Sequence, residues 1–392
     1  MIVEQLSLVD FRNYEHADLS LVGGPNLFIG RNGQGKTNLA EAVAYLATLG
    51  SHRVSADAPL VRAGTDAAVV RARLAHGERR VMLEVQINRQ GSNKARVGGA
   101  PVRTAELARF AQVVLFAPED LQIVRGDPSA RRRFADQLLV QRAPRLAGVL
   151  ADYDRVLRQR TALLKSARAR GVKGDALSTL DVWDDKLVAL GSEIIDARER
   201  LARELHGPLV TAYAAIAGAD HAPELEWVSS LSGSDPEDDQ DAAAPRGAGE
   251  TADLFRAALL ARRAAELDRG VTLAGPHRDD LLLRIRGLPV KGYASHGESW
   301  SMALALRLSS AELLRAQSSL GDPVVILDDV FAELDADRRT RLGELVGGYE
   351  QVIVTAAVEA DVPGALRGRT VRIEAGRIQS IDDAPTLSGA DS

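Results

Sequence analysis

Length, composition and charge set the first limits on this chain. It has 392 residues, 45% of them hydrophobic, which is enough for one large core or for about two to three lobes. It contains no cysteine, which excludes disulfides, thiolate metal sites and thiol nucleophiles. There is no apolar run of ~18 residues, and the first residues, MIVEQLSLVD, lack a signal-peptide pattern. We therefore expect a cytoplasmic protein with no membrane partner.

The charge is unevenly distributed along the chain. The net charge is −5, from 49 Lys and Arg against 54 Asp and Glu, yet residues 125–173 hold 13 basic residues against 4 acidic ones. Local charge decides whether a protein meets a polyanion, and total charge does not. The run Arg131, Arg132 and Arg133 is therefore predicted to bind DNA. The alternative is that these arginines form an ordinary solvated helix face.

The N-terminal part is predicted to be mixed α/β structure. Alternating polarity in EQLSLVDF and HADLSLV predicts two strands, and NLFIG predicts a short buried strand before a glycine cluster. A helix should begin at Thr37, because the apolar residues that follow recur at helical spacing. Residues 66–90 are typical of half-buried strands with a turn at His76-Gly77, and RQGSNKARVGGAPV is typical of a hairpin.

The middle of the chain has a different character. From Ser129 to about Ala217 it is rich in Ala, Leu and Arg and shows long segments with helical periodicity. The acidic stretch LSGSDPEDDQDAAAPRGAGE has too little apolar content to pack and predicts a mobile loop. Strand patterns return at DDLLLRIRGLPV, PVVILDD and QVIVTAAV, with helices at about 299–318 and 335–347.

The simplest architecture is an α/β head built from both ends of the chain, with a helical lobe inserted between them. We expect the head at 1–125 and 263–380, the lobe at 126–262 with its mobile loop near 231–250, and a flexible tail at 381–392.

The glycine cluster carries a specific chemical pattern. Residues 30–37, GRNGQGKT, fit G-x-x-x-x-G-K-[ST] between a strand and a helix. Glycines let backbone N–H groups converge on phosphate oxygens at a helix N-terminus. Lys36 would neutralise the β- and γ-phosphates of a nucleoside triphosphate, and Thr37 would hold Mg²⁺. The predicted nucleotide-binding residues of this segment are Gly30, Asn32, Gly33, Gly35, Lys36, Thr37 and Asn38.

A loop of this kind needs a carboxylate for the magnesium ion at the end of a neighbouring buried strand. VVILDDVFAELD supplies apolar residues followed by Asp328 and Asp329. Asp328 should face the metal, and Asp329 lies where a general base would polarise the attacking water. The alternative is a pair of surface aspartates after a strand.

A second segment resembles an anion site at a helix start. In YASHGES, Ser295 and Gly297 come just before the amphipathic segment WSMALALRLSSAELL. The chain has one glycine loop and, far away in sequence, one helix start that is able to bind phosphate. This suggests that two chains pair head to tail across two nucleotides. Taken alone, the segment could equally be an ordinary N-cap turn.

Together these segments resemble a known family, the ABC-type ATPases of the SMC/Rad50 group and, within it, the RecF family. The resemblance covers nearly the whole chain, and GSHR and GPHRDDL are more specific than the glycine loop. The segments that carry it are FRNYEHADLSL, NLFIGRNGQGKTNLAEAVAYLATLGSHR, LFAPEDLQIVRGDPSARRRFAD, AGPHRDDL, YASHGES and VVILDDVFAELD.

The resemblance implies ATP and Mg²⁺ as cofactors, with Asp328 as the Walker B carboxylate and Asp329 as the catalytic acid position. Ser295 and Gly297 match the signature that contacts the partner's γ-phosphate. The switch histidine expected after the last strand is absent, with Thr355 nearby instead, which implies slow hydrolysis. The resemblance as a whole implies a weak, DNA-stimulated ATPase. The resemblance also implies an ATP-dependent homodimer on double-stranded DNA near single-strand gaps, acting with RecO and RecR to help load recombinase.

Two rival functions remain open at this point. An ABC transporter ATPase subunit would share the nucleotide motifs but would not need the basic residues 131–133. A DNA-binding scaffold that uses ATP only as a switch would share every motif and turn over negligibly. His52 and His277 are expected to be structural or DNA-facing, because no cluster with metal-ligand spacing surrounds them.

Overall fold

The computed structural model describes residues 1–171, 178–231, 249–318 and 321–383. Most of the predicted mobile acidic loop, residues 232–248, lies outside these ranges, as does the predicted tail from residue 384 onward. Ile381 and Asp382, which we expected in the tail, belong instead to the last strand. No helix among the described residues is long and apolar enough to cross a membrane.

The described residues form fifteen strands and nine α-helices. The strands are β1 Ile2–Phe11, β2 Tyr14–Ser20, β3 Gly24–Ile29, β4 Ala67–His76, β5 Arg79–Asn88, β6 Lys94–Val97, β7 Ala100–Val102, β8 Val113–Phe116, β9 Pro223–Val228, β10 Asp280–Ile285, β11 Leu288–Pro289, β12 Val324–Asp328, β13 Gln351–Ala356, β14 Arg369–Glu374 and β15 Arg377–Asp382. The helices are α1 Lys36–Thr48, α2 Leu121–Arg125, α3 Pro128–Arg142, α4 Leu146–Ala169, α5 Ser178–Ala217, α6 Glu250–Arg269, α7 Val290–Tyr293, α8 His296–Gln317 and α9 Ala336–Val346.

A mainly parallel sheet joins the two ends of the chain. Its order is β15-β14-β3-β13-β12-β8, and the pairs from β14 to β8 are parallel. Strands β12 and β13 are buried along their whole length, as their continuous apolar sequences VVIL and VIV predict. The predicted α/β fold, with a head formed by N- and C-terminal segments, is confirmed.

An antiparallel sheet with the order β2-β1-β4-β5-β6-β7 forms the other layer of the head. Its strands alternate between buried and exposed side chains, so one face packs inward and the other meets solvent. Helix α1 contributes ten buried residues and shares one apolar core with strands of both sheets. This packing fixes the start of α1 beside the ends of the parallel strands.

The chain divides into two compact units. The first comprises Met1–Leu121, Pro208–His221 and the described residues after Tyr293, and the second comprises the described residues of Gln122–Gly207 and Ala222–Tyr293. Residues 263–293, which we expected in the head, therefore lie in the second unit, while 208–221 lie in the first. The reason is a three-stranded sheet, β11-β10-β9, that belongs to the second unit. Strand β9 was missed because it is short and follows a long helical segment.

Candidate nucleotide-binding site

The loop between β3 and α1 takes the conformation that its glycines allow. Gly33 and Gly35 have φ values of 81° and 116°, in the region that side chains disfavour. A Cβ on Gly35 would also lie 2.8 Å from Asn13 Nδ2 and from Tyr14 Oη. At Gly30 a Cβ would come within 2.3 Å of the Ile373 carbonyl oxygen. The loop therefore lies against its neighbours at Gly30 and Gly35, where there is no room for a side chain.

Lys36 begins helix α1 and is almost completely buried. Its Nζ donates to the Arg31 carbonyl oxygen at 3.3 Å, across the loop. No acidic side chain pairs with Lys36 within the described ranges. A buried ammonium held by one long hydrogen bond is suited to receive an anion.

Asp328 ends strand β12 and is linked to two threonines. Thr37 Oγ1 donates to Asp328 Oδ1 at 2.9 Å, and Thr355 Oγ1 donates to the same oxygen at 2.6 Å. The parallel register pairs Asp328 with Thr355 and so places that hydroxyl. Burial raises the pKa of Asp328 to about 6, although both hydroxyl hydrogen bonds oppose the shift. The carboxylate is therefore mostly ionised at neutral pH, and with the Thr37 hydroxyl it forms an oxygen donor pair of the kind Mg²⁺ takes.

Asp329 leaves the strand in the left-handed conformation, with φ of 51°. Its backbone N–H donates to Thr355 Oγ1 at 3.0 Å, so Thr355 connects both aspartates. Asp329 lines a cavity of about 270 Å³ together with Asn32, Pro118 and Glu333. A carboxylate beside a cavity of this size can accept a proton from a water molecule there.

Asn38, the last residue predicted for the nucleotide loop, is already engaged. Its Nδ2 donates to Asn13 Oδ1 at 2.7 Å, and its Oδ1 accepts from Arg53 at 2.9 Å. The side chain therefore ties α1 to the turn after β1 and to the segment GSHR. Asn32 is exposed at the mouth of the loop.

His52 is the residue that sequence reasoning underrated. Its Nε2 lies 3.9 Å from Asp328 Oδ2, and neither buried ring nitrogen has a hydrogen-bond partner among the described residues. Burial lowers the pKa of His52, so the ring is neutral. The only sequence signal was its place in GSHR after α1, because its distance to residue 328 depends on the packing of distant segments.

Ser295 and Gly297 lie at the start of α8, as predicted for a helix N-terminus, although the helix begins earlier than residue 299. Ser295 Oγ accepts from the Glu298 N–H at 3.2 Å, and Glu298 accepts from the Ser295 N–H at 2.9 Å. This reciprocal cap explains the glutamate after the glycine. A Cβ on Gly297 would lie 3.1 Å from the Arg338 guanidinium, so a side chain there would press on that cation.

The predicted DNA-binding arginines on α3 differ strongly in accessibility. Arg131 is buried and donates to both carboxylate oxygens of Asp280 at 2.7 and 2.8 Å. Arg132 is half-buried and donates to the Asp279 carbonyl oxygen at 2.7 Å. Arg133 is exposed. Internal partners therefore occupy Arg131 and Arg132, and Arg133 is the most accessible of the three.

Comparison with known proteins identifies the family. Residues 2–377 match the RecF/RecN/SMC N terminal domain family. The chain is 57% identical to DNA replication and repair protein RecF of Clavibacter sepedonicus, covering 100% of this chain and 97% of the relative. It is also 57% identical to the protein of the same name from Leifsonia xyli subsp. xyli, covering 96% of this chain and 99% of that one.

Solved structures agree with these relatives. The chain resembles the recombination mediator protein RecF-ATP of the RecFOR pathway with a TM-score of 0.85 and 26% identity, over 97% of each chain. An Smc head domain from Pyrococcus furiosus shares the fold, with a TM-score of 0.54 and 15% identity over 97% of this chain and 96% of that one. The chain belongs to the RecF family of DNA replication and repair proteins.

Proposed function

We propose that this protein binds ATP with Mg²⁺ and forms an ATP-dependent homodimer on double-stranded DNA near single-strand gaps. In this proposal it hydrolyses ATP slowly, as a weak DNA-stimulated ATPase, and acts with RecO and RecR to help load recombinase. The observation that supports nucleotide binding most is the meeting of Thr37, Asp328 and Thr355 around one carboxylate oxygen, next to the loop that holds Lys36. The relatives named RecF and the RecF-ATP structure support the wider role.

Each residue of the site has a distinct proposed task. Backbone N–H groups of the loop, freed by Gly33 and Gly35, would bind phosphate oxygens, and Lys36 Nζ would turn from the Arg31 carbonyl to the β- and γ-phosphates. Thr37 and Asp328 would hold Mg²⁺, which when bound neutralises phosphate charge. Asp329 would take a proton from water at its carboxylate oxygen.

Thr355 gives a physical basis for slow turnover. Its single hydroxyl donates to Asp328 and accepts from the Asp329 N–H, so it orders both aspartates. A hydroxyl engaged in this way does not supply the second proton-transfer group that an imidazole would. We therefore expect phosphate release to be slow even when nucleotide is fully bound.

The dimer depends on the α8 helix start. Ser295, Gly297 and the positive end of the α8 helix dipole would meet the γ-phosphate held by the other subunit. The Arg338 guanidinium beside Gly297 adds positive charge at the same point. A transporter subunit would share this dimerisation, but nothing in its task requires duplex DNA.

The test is sedimentation of wild type and Asp329→Asn with ATP, ADP or no nucleotide, each with and without duplex DNA. We expect an ATP-dependent dimer in wild type and a longer-lived one in the variant, because an amide keeps the shape of the carboxylate but cannot accept the proton. Phosphate release should fall in the variant while ATP affinity stays within about two- to threefold of wild type. Monomers under every condition would refute the dimer, and loss of ATP binding would show that Asp329 belongs to the metal site.

A further inference from the structure

A second basic region lies in the antiparallel sheet, at some distance in sequence from α3. Residues 67–103 contain 8 Lys and Arg against 2 Asp and Glu, in a protein whose net charge is −5. The three strands β4, β5 and β6 carry most of these cations. The local excess is as marked as that of residues 125–173, although the overall charge conceals it.

The alternation of these strands puts the cations on one face. The side chains of Val70, Ala72, Leu83, Val85 and Ala95 are buried and belong to the core. Their neighbours in sequence point to the opposite face, towards solvent. The outward cations of β4–β6 are Arg71, Arg73, Arg80, Lys94 and Arg96, and we call this surface the basic sheet face.

Strand register arranges the basic sheet face into rows. Arg71 on β4 lies opposite Glu84 on β5, which in turn lies opposite Arg96 on β6. Glu84 is paired with both arginines, and the Arg96 contact is 3.5 Å. In the same way Glu4 pairs with Arg73 at 3.1 Å and with Arg80 at 2.6 Å.

Two carboxylates are thus shared by four guanidinium groups, which leaves a positive balance. The side chains of Arg71, Arg73, Arg80 and Arg96 remain 44%, 46%, 47% and 59% exposed. Exposed ion pairs contribute little to stability, so these guanidinium groups can turn to another anion at little cost. Lys94 is also exposed.

We infer that the basic sheet face binds the phosphate backbone of duplex DNA. This inference rests on the proposed function and names the surface that would contact the DNA. Met82, 38% exposed, is the one large hydrophobic side chain exposed on β4–β6, which are described in full. Protein interfaces rely on buried aromatic and aliphatic anchors, whereas phosphate contacts need cations on a solvated surface. The arginines Arg131 and Arg132, by contrast, already have internal partners.

The test compares two triple variants with equal charge change. Arg73→Gln, Lys94→Gln and Arg96→Gln together remove three cations from the basic sheet face while leaving one arginine for each of Glu4 and Glu84. The control removes three exposed arginines of α4 and α5: Arg155→Gln, Arg158→Gln and Arg203→Gln. Binding of a random-sequence duplex is measured with ATP across a salt series.

We expect the slope of log affinity against log salt to fall by about 2–3 in the sheet variant and by less than about 1 in the control, because each lost phosphate contact removes about 0.9. Affinity at about 0.1 M salt should fall at least about tenfold in the sheet variant. Unchanged ATP affinity and melting temperature would show that both variants are folded.

Other outcomes overturn the inference in distinguishable ways. If wild type binds duplex DNA and a folded sheet variant binds it equally well, the basic sheet face is not the DNA-binding surface. The proposed function would then remain intact. Wild type that does not bind duplex DNA would refute the proposed function and this surface together. If the sheet variant bound duplex DNA as well as wild type but no longer bound phosphatidylglycerol vesicles, the basic sheet face would instead be assigned to an anionic membrane.

Discussion

Each unit of this protein contains a buried cation, and the two cations differ in how many hydrogen-bond partners they have. In the second unit Arg160 is fully buried and donates to Asp184 and Glu266, both at 2.6 Å, and to Thr272 at 2.9 Å. In the first unit Lys36 is nearly as buried, and among the residues that the structure describes its Nζ has one hydrogen bond, to a carbonyl oxygen at 3.3 Å. A buried cation with a full set of partners stabilises the fold. A buried cation with an incomplete set is a place for a ligand.

Removing Arg160, the buried cation with several partners, should have the largest effect on stability. Arg160→Met should destabilise the second unit by about 3–5 kcal/mol, because Asp184 and Glu266 would stay buried without their partner. Chemical denaturation measures the loss. Arg158→Met on the same helix is the control, since Arg158 is 67% exposed and its partner Asp154 is exposed as well. Similar stability of the two variants would show that the buried network contributes little.

Removing Lys36, the buried cation with few partners, should weaken ATP binding and leave stability nearly unchanged. Lys36→Ala should weaken ATP binding by about 10- to 100-fold, the equivalent of one charge-assisted contact of about 1.5–3 kcal/mol, with little change in melting temperature. Titration with a fluorescent ATP analogue measures the affinity. The exposed Lys186→Ala serves as the control. An unchanged affinity in Lys36→Ala would exclude this loop as the phosphate site.

His277, a buried group of the second unit, should make the stability of the protein depend on pH. Tyr153 Oη and the Thr272 carbonyl oxygen lie 2.8 and 3.3 Å from its two ring nitrogens, which suits a neutral ring, and burial lowers its pKa to about 4. The unfolded chain, with a pKa of about 6.5, takes up the proton first, so stability is constant above that pH and falls as the pH drops towards 4.

The expected loss over that window is about 2–3 kcal/mol. Denaturation of His277→Gln at several pH values should show a flatter profile than wild type, while the exposed His206→Gln should keep the wild-type profile. Parallel profiles in wild type and His277→Gln would contradict the assignment of a neutral buried ring.

The smallest expected effect concerns the exposed member of the α3 arginines. If Arg133 touches one phosphate, Arg133→Ala should lower the salt slope of duplex binding by about 0.9 and leave stability unchanged. The exposed Arg155→Ala gives the background for losing any surface charge. No difference between the two variants would remove α3 from the DNA-binding surface and strengthen the case for the basic sheet face.

Local patterns in the sequence were enough to predict the conformation of the glycine loop and of the strand and helix beside it. The glycines, Lys36 and Thr37 are consecutive, and their conformation follows from residue type and the flanking strand and helix. The continuous apolar run before Asp328 likewise marks the end of a buried strand, where a carboxylate leaves the sheet. These features could be predicted because each depends on short-range chemistry or on a period of two residues.

Features that depend on distant partners could not be predicted in this way. Arg131 looks like Arg133 in sequence, but after folding it pairs with Asp280, which is 149 residues away, and is buried. His52 was underrated for the same reason, since residue 328 is its neighbour only after folding. The basic sheet face was missed because its cations alternate with core residues and so never form a visible run.

The strand order of the parallel sheet also bears on how the protein folds during synthesis. Strand β3, at residues 24–29, lies between β13 and β14, so its two hydrogen-bonding partners emerge from the ribosome more than 300 residues later. Contacts so distant in sequence form slowly and leave strand edges uncovered while the chain grows. The second unit has all its described residues by Tyr293. We therefore expect the second unit to be protected from proteolysis in nascent chains while the candidate nucleotide site is still incomplete.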